Sequence, residues 1–110
     1  MRMLPNYVKP SSFDSERRVF SLFRETEGDG DCICFHSLNL PEHAYKAVAE
    51  LDFVILNRWG ITVLEVKGGG VSCNEKGIWA TTDRDGKTHR LASSPFEQAR
   101  SGMYALKAKL

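Results

Sequence analysis

The spacing of hydrophobic residues predicts one helix near each end of the chain. The first is expected to start near 11–14, where several side chains could cap it, and to run to about residue 26, with Val19, Phe20 and Phe23 at helical intervals. The second is expected to start at Ser94, with Pro95 in its first position and Glu97 completing a capping box. Its expected buried stripe consists of Phe96, Ala99, Met103, Leu106 and Leu110.

Between these helices the pattern changes to short apolar or alternating segments, which are typical of strands. Three strands are expected first, at 32–40, 51–56 and 61–67. A smaller set follows, near 71–73, 78–82 and 87–91. Turns are expected at 28–30, 57–60, 74–77 and 83–86, and Pro41 is expected to close the first strand. This order predicts an α+β or mixed α/β fold.

The chain length is suited to a single domain. Residues 1–11, which include Pro5 and Pro10, are predicted to be an extended lead-in, and 12–110 are predicted to form the domain. The chain stops at Leu110 inside a helical pattern that has no cap. We therefore expect it to be the N-terminal part of a longer protein, without the strand that would follow the last helix.

Composition narrows the class of protein. Apolar residues make up 42% of the chain and charged residues 26%, which is a globular balance. Lys and Arg together number 15 against 14 Asp and Glu, so the net charge of +1 excludes a protein that binds nucleic acid by bulk positive charge. The sequence has neither a membrane-length apolar segment nor an apolar leader, which predicts a cytoplasmic protein with no membrane partner.

Three cysteines, an odd number, suggest free thiols in a reducing compartment. Cys32, Cys34 and His36 would share one face of a strand, because side chains alternate with period 2. A zinc site would need a fourth ligand, and the sequence offers no second metal-binding pair. A strand face with buried thiols is the favoured interpretation.

The most informative segment is 50–67, whose pattern predicts a hairpin closed by a four-residue turn. If Leu56 pairs with Ile61, Asp52 falls opposite Glu65 and Glu50 falls opposite Lys67. Opposed residues have Cβ atoms about 4.5–5.5 Å apart. The register therefore predicts a patch of carboxylates and one lysine.

Two explanations for this patch stay open. Like charges that face each other destabilise a strand pair, so the patch needs compensation. One possibility is a salt-bridge cluster in which Lys67 and Glu50 compensate the pair Asp52 and Glu65. The other is a divalent cation between Asp52 and Glu65, since Mg²⁺ takes one or two protein carboxylates together with water and phosphate oxygens.

These residues resemble a known family. The resemblance begins at Ser15-Glu16 and continues through 50–56, Gly60-Ile61, 64–67, 77–79, 94–99 and Leu106. Together these blocks resemble the nuclease-related domain (NERD), a family grouped with the PD-(D/E)XK restriction-endonuclease-like fold. The resemblance implies a central mixed sheet flanked by helices, with an added β-hairpin.

The resemblance also implies metal-dependent cleavage of nucleic acid, most readily DNA, with Mg²⁺ or Mn²⁺ as cofactor. By position, Asp52 and Glu65 match the metal-binding acids, and Lys67 matches the catalytic lysine that would position the attacking water. Glu16 matches a first-helix acid that extends the metal shell, and Gln98 matches a second-helix glutamine that would help to place Lys67 or the water. Such domains often accompany a helicase domain in a longer chain.

Several alternatives accompany this interpretation. Glu16 shares the apolar face of its helix, but an acid in a first turn is also favoured by the helix dipole. Gln98 lies on the flank of its stripe and could point to the sheet edge or to water. Residues 68–70 could allow a turn or a close backbone approach. The chain could also be a non-catalytic nucleic-acid-binding or helicase-docking module, or a structural interaction domain.

Other side chains have weaker claims to contact nucleic acid. Trp59, in a turn, is a better candidate for base stacking than Trp79, which is expected in the core. His36, His43 and His89 have no partners at the spacing of a catalytic triad. Basic side chains that could reach phosphates, or simply form an ordinary surface, are Arg58, Lys87, Arg90, Arg100, Lys107 and Lys109.

Overall fold

The computed structural model describes residues 1–9, 12–26, 31–40 and 49–110. Its elements in chain order are β1 (Arg2–Leu4), α1 (Asp14–Glu25), β2 (Ile33–Leu40), β3 (Ala49–Asn57), β4 (Gly60–Leu64), β5 (Gly70–Cys73), β6 (Trp79–Thr82), β7 (Thr88–Arg90) and α2 (Pro95–Lys109). The predicted turn at 28–30, and Ser11, Pro41 and His43, lie outside the described residues. Neither helix in the described part of the chain is long and apolar enough to cross a bilayer.

The strands form two sheets. The larger sheet has the order β1-β2-β3-β4, in which β1 is parallel to β2 and the other neighbours are antiparallel. The smaller sheet, β5-β6-β7, is antiparallel throughout. With its two helices, the molecule has the mixed α/β architecture that the order of elements predicted.

The predicted lead-in is in part a strand of the main sheet. Arg2–Leu4 pairs in parallel with Ile33–Phe35, and Met3 is buried against Phe20, Cys34 and Phe53. Pairing of β1 with the sheet is favoured because it buries the apolar Met3 side chain against the aromatic cluster, whereas an exposed tail would leave it in water. The prolines of the first ten residues suggested a lead-in, but the first of them follows this short strand.

The strand face with Cys34 and His36 is part of the core. Cys34 is fully buried, and burial raises the pKa of its thiol to about 11. The His36 ring lies between Phe20 and Phe53, and its Nε2 donates a 2.8 Å hydrogen bond to the carbonyl oxygen of Pro5. A ring that is used in packing and in a hydrogen bond to a carbonyl fits the structural interpretation of this face.

The start of α2 is as predicted, but only part of its predicted stripe is buried, with Leu106 packed against the cluster of Leu40, Leu51 and Val54. Ser94 Oγ accepts the amide N–H of Glu97 at 3.0 Å, and Pro95 occupies the first turn. Phe96 and Leu110, expected to be buried, are 73% and 83% exposed. The helix instead buries Gly102 against Leu51 of β3, and only glycine permits this approach because a Cβ there would overlap the Leu51 side chain.

Candidate active site

One open cavity of about 1150 Å³ collects most of the predicted site residues. Its walls are the start of α1, the ends of β2 and β3 that lie away from the β3–β4 turn, the segment after β4, and the turn between β6 and β7. Six carboxylates line it, which are Asp14, Glu16, Glu50, Asp52, Glu65 and Asp83. Four cationic side chains also line it, which are Lys9, Arg18, Lys67 and Arg84. When all are ionised, these described lining residues carry a formal excess of two negative charges.

A break in strand alternation brings Asp52 to this cavity. Leu51 and Phe53 are two residues apart and would ordinarily share a face, yet Phe53 packs in the cluster with Phe20 whereas Leu51 packs with Leu40 and Val54. The break coincides with Ser37, whose φ of 51° is rare for a residue with a side chain. The ladder passes there from His36 opposite Phe53 to Leu38 opposite Leu51.

The predicted register is confirmed near the turn and fails at the site. Leu56 pairs with Ile61, and pairing continues to Phe53 opposite Leu64, where β4 ends instead of reaching Lys67. Asp52 is therefore not a ladder partner of Glu65. Its Oδ2 accepts the amide N–H of Val66 at 2.9 Å, so a side chain replaces the next backbone partner. This bond fixes the Asp52 carboxylate beside the segment that carries Glu65 and Lys67.

Glu65 and Lys67 form an ion pair within the cavity wall. Lys67 Nζ lies 3.3 Å from Glu65 Oε1, and the two side chains are only 24% and 17% exposed. The predicted strand pairing of Lys67 with Glu50 is wrong, because β4 ends at Leu64 and Lys67 pairs instead with Glu65. Burial raises the pKa of Glu65, as does the neighbouring charge of Asp52, while Lys67 opposes the shift. Asp52 and Glu65 are thus close enough to repel each other.

Glu16 reaches the same cavity from α1. Val19, Phe20 and Phe23 pack this helix on the sheet as predicted, and Glu16 lies one turn before Phe20. Burial raises the pKa of Glu16, followed by the charges of Asp52, Glu50 and Glu65. Glu16 therefore lies both in the first turn of α1 and in the wall of the cavity.

A comparison with protein-family models shows the family of this chain. The family model described as nuclease-related domain (NERD) matches residues 11–110, nearly the whole chain. The chain belongs to the nuclease-related domain family. The PD-(D/E)XK superfamily is the general kind of fold for this family, and the mixed sheet with its two helices is consistent with it. No curated protein and no solved structure matches the chain.

Gln98 lies outside the cavity of this nuclease-related domain. Its Nε2 contacts the carbonyl oxygen of Ser93 at 3.5 Å, a local contact at the start of α2. That Gln98 helps to place Lys67 stays a prediction. The helix packs on the sheet through Gly102 and Leu106.

The metal-ligand set that the family resemblance implies is incomplete in the structure. Across residues 1–9, 12–26, 31–40 and 49–110, no group of three or more His, Cys, Asp or Glu side chains is arranged to hold a metal ion. Glu16 therefore does not join Asp52 and Glu65 as a preassembled third ligand. Asp52 and Glu65 remain as two neighbouring carboxylates, and burial together with the charge of Asp52 raises the pKa of Glu65.

Sequence reasoning missed residues that the tertiary structure brings to the cavity. Gly68 lies so close to α1 that a Cβ would be 2.9 Å from Ser15 Oγ, and Gly69, with φ of 73°, abuts the backbone of Thr82. The close-approach interpretation of these glycines is thus confirmed. The basic residues that line the cavity are Lys9, Arg18 and Arg84, in addition to Lys67, and none of the six basic candidates named from the sequence does so.

The two tryptophans differ in exposure, although Trp79 is not in the core where it was expected. Trp59 is exposed in the β3–β4 turn beneath the guanidinium of Arg58, 4.4 Å from the ring centre, and does not line the cavity. Trp79 is half-buried and packs edge-on against Phe96. Neither ring lies among the residues of the candidate site.

Proposed function

We propose that this nuclease-related domain hydrolyses phosphodiester bonds of nucleic acid, with DNA as substrate and a divalent cation, Mg²⁺ or Mn²⁺, as cofactor. The observation that carries the proposal is the convergence of Asp52, Glu65 and Lys67 on one wall of one cavity. These are the residues that match the family's acids and lysine by position. The association with a helicase domain stays a prediction.

The chemistry of the cavity fits a hard divalent cation. Mg²⁺ usually takes one or two protein carboxylates and completes its shell with water and phosphate oxygens, so a two-carboxylate site is sufficient. The described residues that line the cavity carry a formal excess of two negative charges, and one divalent cation balances that excess. Asp52 and Glu65 would hold the ion. When bound, such an ion lowers the pKa of a coordinated water and polarises a phosphoryl oxygen.

The residues of the chain then have separate roles. Asp52 is held by the Val66 amide, which presents its carboxylate in a fixed position. Lys67 is steered by Glu65, and its ammonium would orient the attacking water or stabilise charge that develops on the phosphate. Glu16 adds negative charge to the cavity wall and would contact the cation through water. The proposal assigns no role to Gln98.

A plasmid-nicking assay tests this proposal. The purified chain should cleave with Mg²⁺ or Mn²⁺ and be inactive with EDTA. Lys67→Ala should abolish cleavage, whereas Lys76→Ala, which removes an exposed lysine outside the cavity, should leave it unchanged. Asp52→Asn provides a second variant, because asparagine can still accept the Val66 amide while losing the charge. Cleavage by both Lys67→Ala and Asp52→Asn at the wild-type rate would refute the proposed site.

One observation favours a second function, that of a non-catalytic nucleic-acid-binding module. The Lys67 ammonium is engaged by Glu65 in an ion pair, whereas the nuclease proposal needs it for the water or the phosphate. Such a module would bind DNA equally well with EDTA and with Mg²⁺, and would never cleave it. Binding without cleavage that Lys67→Ala leaves unchanged would therefore select this alternative.

A further inference from the structure

The charged side chains of the cavity fall into two groups, which differ in burial and in whether they have a bonding partner. Toward the sheet lie Asp52, Glu65 and Lys67, which bond to one another or to the backbone and are partly buried. Lys9 and Arg18 are exposed and make no ion pair with any residue that the structure describes. The contacts of Lys9 and Arg18 therefore show no structural role for these two cations at the mouth of an acidic cavity.

Arg84 completes this arrangement from the opposite wall. It lies in the β6–β7 turn, its side chain is 83% exposed, and one terminal nitrogen lies 2.6 Å from Asp14 Oδ2. An exposed ion pair of this kind contributes little to stability. It does orient the guanidinium toward the start of α1, and a guanidinium has five N–H donors, so most of them are left for another acceptor.

The first turn of α1 adds a second feature that favours anions at the same place. The residue before the helix is Phe13, whose side chain has no polar atom with which to cap the helix. The free amide groups of a first turn, together with the helix dipole, attract negative charge. Residues 12–16 line the same cavity as Lys9, Arg18 and Arg84. The carboxylates of Asp14 and Glu16 in this turn already satisfy part of that preference.

We propose that Lys9, Arg18 and Arg84 form a phosphate-binding rim that holds the sugar-phosphate backbone of a nucleic-acid strand across the mouth of the cavity. The identity of this ligand rests on the proposed function, since the rim would present the scissile phosphate to Asp52, Glu65 and Lys67. Arginine and lysine are the usual contacts of phosphate groups in such interfaces, and phosphate contacts position a strand without reading its sequence. The rim therefore predicts binding that is strongly salt-dependent and indifferent to base sequence.

The test measures binding with EDTA present, so that cleavage plays no part. Fluorescence anisotropy of labelled single-stranded DNA, duplex DNA and single-stranded RNA would be followed over a series of salt concentrations. Removal of one side chain that binds a phosphate should reduce the slope of log affinity against log salt, in magnitude, by about 0.7 for a single strand and about 0.9 for a duplex. The three nucleic acids identify which strand the rim accepts.

Three rim variants and two controls make the test specific. Arg18→Gln, Lys9→Gln and Arg84→Gln should each reduce the slope by the amount expected for one phosphate. Arg90→Gln removes an exposed arginine outside the cavity and should leave the slope unchanged. Asp14→Asn breaks the ion pair but keeps Arg84, so it should strengthen binding rather than weaken it. Circular dichroism would verify that each variant is folded.

The outcomes separate this inference from the proposed function. If Arg18→Gln and Lys9→Gln keep the wild-type slope while the protein still cleaves DNA, the rim is refuted and the nuclease stands. If the slopes fall as expected but no metal ion supports cleavage, the rim stands and the catalytic proposal is refuted. Absence of any nucleic-acid binding by the wild-type chain would refute the rim directly.

Discussion

Gly69 should be among the least replaceable residues of this domain. It follows the Glu65–Lys67 pair by two residues and has a φ of 73°, a region that residues with a Cβ occupy at a cost of about 1–2 kcal/mol. A Cβ at this position would also overlap the carbonyl oxygen of Thr82, which belongs to the backbone of β6. Backbone cannot rotate away as a side-chain terminus can, so β6 or the segment after Lys67 must move.

The expected cost of Gly69→Ala has two parts that a control can separate. Gly77 has a nearly identical φ of 77° and no atom within 4 Å of an added Cβ. Gly77→Ala should therefore cost only the conformational part, about 1–2 kcal/mol. Gly69→Ala should cost that amount and a further 1–3 kcal/mol, roughly, for overpacking. In a domain of this size, each kcal/mol lowers the melting temperature by about 5 °C.

Thermal and urea unfolding of both variants measure the difference directly. Gly69→Ala should melt well below Gly77→Ala. It should also lose cleavage activity at temperatures where it is folded, because the displaced segment carries Lys67 at its start. Equal stability of the two variants would refute the argument that the close approach to Thr82 holds the cavity wall in place.

Three other perturbations probe the site and α2. The pKa of Glu65 is raised above its ordinary 4.5, so protonation of Glu65 favours the folded state at low pH. This contribution to stability is lost as pH rises through the raised pKa. Glu65→Gln should therefore gain stability relative to wild type as pH rises toward neutrality, which unfolding titrations would measure. Mg²⁺ at one hundred times its dissociation constant should stabilise the wild type by about 2.7 kcal/mol in thermal melts, and Asp52→Asn should abolish the effect. Ser94→Ala should cost about 1 kcal/mol of unfolding free energy through loss of the helix cap, whereas Ser93→Ala should cost less.

Each of these expectations has a contrary result. A stability difference between Glu65→Gln and wild type that does not change with pH would contradict the effect of burial on Glu65. An equal Mg²⁺ shift in Asp52→Asn would place the cation elsewhere. Equal losses for Ser94→Ala and Ser93→Ala would mean that the Ser94 cap contributes nothing beyond an ordinary serine.

The sequence alone was sufficient for features that depend on neighbours along the chain. The loop at 57–60 determines that Leu56 pairs with Ile61, because turn length sets hairpin register. The start of α2 at Ser94 follows from the cap and from Pro95, which act within one turn of helix. The apolar spacing of α1 decides which face it buries, and hence that Glu16 turns toward the sheet. These local rules also carried the family resemblance that the family model supports.

Only the tertiary structure decided how these parts meet. The break in alternation at Ser37, which turns Asp52 into the cavity, depends on pairing between two strands and has no sequence signature. Gly102, which is not in the predicted stripe, packs against Leu51, because close helix–sheet contact favours the residue without a side chain. Arg84 reaches Asp14 from 70 residues away along the chain. Such contacts arise from the packing of whole elements, and a pattern confined to one element carries no information about its partner.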